Sequence, residues 1–201
     1  MPKIVDIDKN RRMIAQAACQ AIAQKGISDV TMIDIADAAG VTTGMIANYF
    51  ENKQAIIAAA LRIPFENMRA RINRQIAAGS DDLADILDVA IPAKKSYKAE
   101  TAAWVSFWGL IATNDEFRRL NKLLHQEGAE IYAEAVRAAW PESTAWPENV
   151  FDQTLRSIVT FLFGLSAGGV TNPRVWTKSV QREQLRHHLT LIRDWANSVT
   201  P

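Results

Sequence analysis

The chain has 201 residues, 48% of them hydrophobic, which is enough for the buried core of one ordinary domain or two small ones and excludes disorder as the default. Its 23 Lys and Arg against 22 Asp and Glu leave a formal charge of +1, so no global positive field announces a nucleic-acid partner. Strictly apolar stretches are only a few residues long, against the roughly 20 that a bilayer demands. Met1 to Asp8 lack the hydrophobic segment and small-residue cleavage site of a secretion signal. The expectation is a cytoplasmic protein with no membrane span. The lone cysteine, Cys19, has no disulfide or metal-binding companion and reads as a small apolar helix residue.

Strand signals are almost absent, and helical periodicity predicts nine helices. The first runs from about Asp8 to Lys25 and stops at Gly26. Thr31 with Asp34 forms a capping-box pattern that opens a second helix ending at Gly40, and a third covers about Thr42 to Phe50. Lys53 opens a long fourth helix that reaches Gly79, with a kink expected at Pro64. Ser80, Asp81 and Asp82 cap a fifth helix up to Ile91, after which Pro92, Lys94, Lys95 and Lys98 mark a turn. The sixth spans about Lys98 to Thr113, and the seventh runs from Asp115 to Trp140, where Pro141 stops it. After a loop from Glu142 to Trp146, Pro147 introduces an eighth helix that ends near Gly168. The ninth covers about Val180 to Val199.

Residues Thr31 to Phe50, TMIDIADAAGVTTGMIANYF, meet the steric demands of a helix-turn-helix. Small Ala36 permits close approach of two helices, and Gly40 sits four residues later at the turn. Ile35, Ala39, Val41, Ile46 and Tyr49 fall on the side to be buried against the first helix. Thr42, Thr43, Gly44 and Asn48 remain on the outward face, where short hydroxyl and amide groups suit a major groove. Together, Thr31, Ile35-Ala36, Ala39-Gly40-Val41, Gly44, Tyr49-Phe50 and Lys53 resemble the N-terminal signature of TetR-type repressors, over about residues 8 to 60. The resemblance implies DNA contacts from Thr31, Thr42, Thr43, Gly44, Asn48, Tyr49 and Lys53. Tyr49 and Lys53, with the fourth helix's N-terminus, would meet backbone phosphates, and such an end beside an ammonium group is a ready anion site. At Ala47, where the family frequently has a tyrosine, this chain lacks that contact.

Farther along, Ala103-Trp104-x-x-Phe107-Trp108 and Leu162-Phe163-Gly164-Leu165 resemble the C-terminal domain of the BetI-type subgroup, associated with choline and betaine metabolism. The implied architecture is all-α, with a helix-turn-helix domain over residues 1–55 and a helical effector-binding and dimerisation domain over 56–201. Glu100, Trp104 and Trp108 follow one another at spacings of four, so one helical face offers a carboxylate and two indoles, with Phe107 adjoining. A cationic or aromatic small organic effector suits that face, with Phe65, Met68, His125 and Phe163 as further cavity candidates. The same indoles would serve equally as core packing, with Glu100 paired to a lysine or arginine. The eighth helix is apolar nearly all round, so Phe151, Leu155, Ile158, Leu162 and Leu165, with Leu185, Leu189 and Ile192 of the ninth, are expected at a two-fold homodimer interface. Gly164 and Gly168 would permit close crossing there. Adjacent His187 and His188 diverge on a helix and make no metal pair.

The leading expectation is a homodimeric transcriptional repressor on a palindromic operator in double-stranded DNA, released by a small organic effector. The alternative is a small-molecule-binding protein of the same fold without ligand-regulated DNA binding. No phosphate loop, zinc-protease motif or nucleophile triad is readable, so neither enzyme nor cofactor is expected. Residues 1–55 hold six basic and six acidic side chains, so the DNA contact should be local. Lys3, Lys9, Arg11 and Arg12 gather at or before the first helix, and Lys53 opens the fourth.

Overall fold

The computed structural model describes residues 7–91 and 95–200; Lys3 and the expected turn at 92–94 lie outside them. Among the described residues are nine α-helices, two short 3-10 helices and no strand. The chain begins with α1 (Ile7–Lys25) and α2 (Met32–Ala39). Thr31 Oγ1 accepts the Asp34 amide at 3.2 Å while the Asp34 carboxylate accepts the Thr31 amide at 2.9 Å, the reciprocal pair of a capping box. Gly40 ends α2 at φ 66°, a left-handed position that a side chain would strain.

Next comes α3 (Thr43–Ala47), shorter than the Thr42–Phe50 expected. Thr42 is its N-cap, accepting the Met45 amide at 3.1 Å. Beyond Ala47 the chain turns, because Arg11 of α1 takes the Tyr49 carbonyl and stacks its guanidinium 4.4 Å from the Phe50 ring centre. The long α4 (Lys53–Ala77) is capped by Asn52, not by Lys53: the Asn52 side chain accepts the Ala55 amide at 2.8 Å. Pro64 lies buried inside α4, which stays helical on both sides of it.

The fifth helix is a single short piece, α5 (Leu83–Leu87), tightening into a 3-10 turn over Asp88–Ala90. Its expected extension to Ile91 fails because Ile91 precedes Pro92 and is extended, at φ −106° and ψ 155°. Then α6 (Lys95–Thr113) starts three residues earlier than expected, and α7 (Asp115–Ala139) is capped by Asn114. A 3-10 turn over Pro141–Ala145 leads to α8 (Glu148–Thr171). This helix continues through Gly168, which the Trp176 indole covers, instead of stopping there. The chain closes on α9 (Lys178–Ser198).

Two cores meet along α4. The first joins α1, α2, α3 and the early part of α4 to Ala103, Phe107 and Phe117, all buried. Cys19 belongs to it, and burial pushes its thiol up to about 12, which leaves it inert at neutral pH. The second core gathers α5, α7, α8 and α9. Arg182 grips the buried Asp88 carboxylate with two nitrogens, and Arg186 meets Asp85 at 2.7 Å, so α9 is pinned to the α5 segment.

Most of the apolar residues expected at a dimer interface are consumed by this second core. Phe151, Ile158, Leu162, Leu165, Leu185 and Leu189 are buried within the chain itself, and Ile192 packs against the same cluster. Leu155 lines an internal cavity. The reason is that α8 packs on α9 of its own chain, so the largest apolar side chains turn inward. Gly168 is likewise unavailable, since a Cβ there would meet Trp176 Nε1 at 2.8 Å. What α8 and α9 leave outside is smaller and more polar: Gln153, Thr160 and Gly164, with His187 and Leu191, the last 55% exposed. By length and composition alone α8 would also pass as a membrane span, which the short apolar runs of the sequence do not reveal, yet its Ile158, Leu162 and Leu165 sit in the core.

Candidate functional site

The reading head is built from its caps outward. Thr42, Thr43, Gly44, Ala47 and Asn48 are all exposed along α3, while Ile46 is fully buried and fixes the helix on the first core. Thr31 is exposed too, but its hydroxyl is engaged by Asp34 at 2.9 Å, so its structural part is to close the α2 cap. Tyr49 is half-buried, and its hydroxyl accepts from Asn10 Nδ2 at 2.9 Å, which leaves the phenolic proton to be donated outward. Lys53 stands at the first position of α4, beside that helix's free amides.

Asn10, which with Arg11 holds the Tyr49–Phe50 turn from α1, escaped the sequence reading of the site, and Arg11 was read there only as one of a basic cluster. Nothing in local spacing links positions 10 and 49. The basic cluster at the start of α1 is also not a free arm. Arg11 is turned onto Tyr49 and Phe50, and Arg12 pairs with Glu66 of α4 and reaches Asn67 Oδ1 at 3.4 Å.

Lys25 Nζ meets Asp34 Oδ1 at 2.6 Å, and this bond first, then those from the Thr31 amide and hydroxyl, lowers the Asp34 carboxyl to about 2. A depressed carboxyl stabilises the fold above its ordinary value of 3.8, and that contribution is lost as pH falls toward 2. Carboxyl-carbon NMR should therefore show Asp34 titrating near 2 in the native protein and moving upward in Lys25→Met. An unchanged midpoint in the variant would remove the Lys25 contact as its cause.

The second site is a partly open cavity of about 420 Å3 between α4, α6, α7 and α8. Phe65, Met68, Glu100, Trp104, His125 and Phe163, all expected there, line it. The His125 ring stands edge-on to Phe163 at 5.2 Å. Trp108 lies instead in an adjoining outer cleft that shares Trp104, His125 and Phe163 with the cavity. Phe107 is corrected outright: it is 0% exposed and belongs to the first core. Its rotation about α6 matches that of Glu100, but seven residues carry it about 10 Å along the axis, past the cavity and into the joint with the head.

Glu100 also differs from the open cation acceptor expected. Its Oε1 accepts from Asn67 Nδ2 at 2.9 Å and its Oε2 from Arg71 Nη1 at 2.9 Å. Arg71, Tyr132, Gly128 and Leu155 are lining residues the sequence reading missed. Arg71 was legible in principle, since Pro64, Phe65, Met68 and Arg71 follow one stripe of α4. Tyr132 donates to Met68 Sδ at 3.1 Å, and burial pushes its hydroxyl well above the usual phenol range.

A helix-turn-helix head beside a helical body with an internal cavity defines a class, that of one-chain ligand-binding DNA regulators. Residues 14–60 match the family described as bacterial regulatory proteins, tetR family, and residues 79–194 match the BetI-type transcriptional repressor, C-terminal. The chain belongs to the TetR family, with a C-terminal part of the BetI type. A curated relative, the HTH-type transcriptional regulator BetI of Brucella suis, is 31% identical over 126 residues, covering 61% of this chain and 64% of that protein. The chain thus matches less than two thirds of that relative's length. Among solved structures, a transcriptional regulator from Rhodococcus sp. Rha1 is 17% identical with a TM-score of 0.77, covering 95% of this chain and 99% of the other. A regulator from Saccharomonospora viridis in complex with choline is 21% identical with a TM-score of 0.73, covering 91% and 96%. Both structural likenesses concern the fold. The matched families are regulators, not enzymes.

Proposed function

We propose that the protein is a cytoplasmic, ligand-responsive transcriptional repressor that binds double-stranded DNA as a homodimer on a palindromic operator and is released by a small organic effector in the cavity. The observation that carries this reading is the α3 face. Thr42, Thr43, Gly44 and Asn48 are exposed together, next to a Tyr49 turn already held by Asn10 and Arg11. A short helix presented this way has the shape and hydrogen-bonding groups a major groove accepts, and the α4 end beside it suits phosphate.

The cavity and the head share α4 and a chain of polar contacts. Arg71 and Glu100 line the cavity, Glu100 bonds Asn67, and Arg12 of α1 reaches both Asn67 and Glu66. A ligand that favours the non-binding arrangement by about 2.7 kcal/mol lowers operator affinity roughly 100-fold, and this chain is a physical route for that bias. The homodimer would use the outward faces of α8 and α9, where Gly164 allows close approach and Leu191 supplies exposed apolar surface.

Sedimentation velocity tests the assembly. Wild type should sediment as a dimer that binds a palindromic duplex as two chains, and Leu191→Glu should sediment as a monomer with unchanged helix content and weakened operator binding. A monomeric wild type bound as one chain per duplex would overturn the palindrome reading.

A further inference from the structure

We infer that the cavity takes a small organic carboxylate with an aromatic or apolar body, in preference to a bare cation; the inference rests on reading the cavity as the effector site. Two arginines, Arg71 and Arg156, line it against one glutamate, Glu100. Both oxygens of that glutamate are occupied, by Asn67 and by Arg71. A cation entering the cavity therefore meets a carboxylate already neutralised and a lining with a surplus of positive charge. Arg156 stands at the open rim, its side chain 82% exposed and its nearest acid, Asp152, at 3.8 Å.

Arg71 is the anchor. Its side chain is only 12% exposed, and its guanidinium lies 4.0 Å from the Tyr97 ring centre with Nη1 given to Glu100. The Nε–H is buried and has no acceptor, so a ligand oxygen meets it once the guanidinium turns toward the cavity that Arg71 lines. A buried donor without a partner is uncommon in a folded protein and marks where an acceptor belongs. The Nε side of a guanidinium is the edge that grips carboxylates with two parallel hydrogen bonds, so the unsatisfied group has a definite preference. Beyond it the walls are apolar, with Phe65, Trp104 and Phe163 among them, and a volume of about 420 Å3 suits one ring and a short acid chain. A carboxylate at this edge would share the guanidinium with Glu100. It would thereby loosen the Arg71–Glu100 contact and free Glu100 to shift on Asn67, which Arg12 also reaches.

Calorimetry on the full-length protein, without DNA, tests the ligand class with three probes of one shape: 3-phenylpropionate, 3-phenylpropionamide and 3-phenylpropylamine. The acid should bind at least 10-fold more tightly than the amide, and the amine should be weakest. The double variant Arg71→Gln/Glu100→Gln keeps a hydrogen-bonding pair while removing both charges, so folding is preserved and the acid-to-amide ratio should fall to near one. A single Arg156→Gln change at the rim should alter that ratio by no more than about threefold. Tighter binding of the amine, or an acid preference that survives in the double variant, would overturn the carboxylate assignment and leave the cavity standing as an effector site. Failure of all three probes to bind would overturn both. In a separate operator-binding measurement, DNA affinity left unchanged by the bound acid would overturn only the regulatory reading.

Discussion

Phe107→Ala should destabilise the protein by about 3 to 5 kcal/mol, the range for removing a fully enclosed aromatic ring. Phe107 is 0% exposed and shares its core with α1, early α4 and Phe117, so the hole would open at the joint between head and body. For a chain of this length the loss corresponds to a fall in melting temperature of roughly 10 °C. Trp104→Ala is the contrasting variant. Trp104 is half-buried and lines the cavity, so its removal should weaken ligand binding more than it lowers stability. Urea unfolding of the two variants measures both. A loss under about 1 kcal/mol for Phe107→Ala, combined with lost ligand binding, would return that ring to the cavity.

The second large effect concerns DNA. In the double variant Tyr49→Phe/Lys53→Gln, each protomer loses a phenolic donor and an ammonium group at the α4 end. At about 1 kcal/mol for each contact, and with two protomers on one operator as proposed, affinity should fall on the order of 1000-fold. Losing one lysine from each protomer should also lower the salt slope by about two, since each neutralised phosphate contributes roughly 0.9. Stability should fall by no more than about 1 kcal/mol, from the lost Asn10–Tyr49 hydroxyl hydrogen bond, because Asn52 still caps α4 and Arg11 still holds the turn through the Tyr49 main chain. An unchanged slope would place the lysine away from phosphate. Measuring affinity at several salt concentrations separates the outcomes.

The head was legible because its boundaries are chemical. Thr31 with Asp34 and Gly40 each impose a local conformation that the sequence states directly, and the structure shows both in those roles, while Thr42, read as the start of the third helix, is its N-cap. The body was legible as helices and less so as faces. On α6, Glu100, Trp104 and Trp108 look equivalent by their spacing of four, yet each step of four residues advances the face by about 40°. That drift carries Trp108 out of the cavity into the neighbouring cleft, and axial distance removes Phe107. On α8 an apolar surface all round says that two sides are covered but not by what. The answer lies in α9 of the same chain, a contact no local pattern encodes.

Net charge shows the same limit. Six basic residues against six acidic ones in the first 55 pointed to a neutral head with local contacts, and the structure engages several of those cations within the fold: Arg12 pairs with Glu66, Arg11 serves the turn and Lys25 serves the α2 cap. Among the described residues, Lys53 stands at the N-terminal end of α4, where a cation and free helix amides come together. A weakly charged head of this kind relies on shape and preorganisation, and its salt dependence should be modest beside that of a basic-tailed binder.

Selection of the full-length protein against a random duplex library tests the central claim most directly. The expected result is enrichment of one inverted repeat, whose binding weakens with salt and with the Tyr49→Phe/Lys53→Gln change. Recovery of no sequence preference from the library would contradict the account and favour a ligand-binding protein of this fold that does not regulate through DNA.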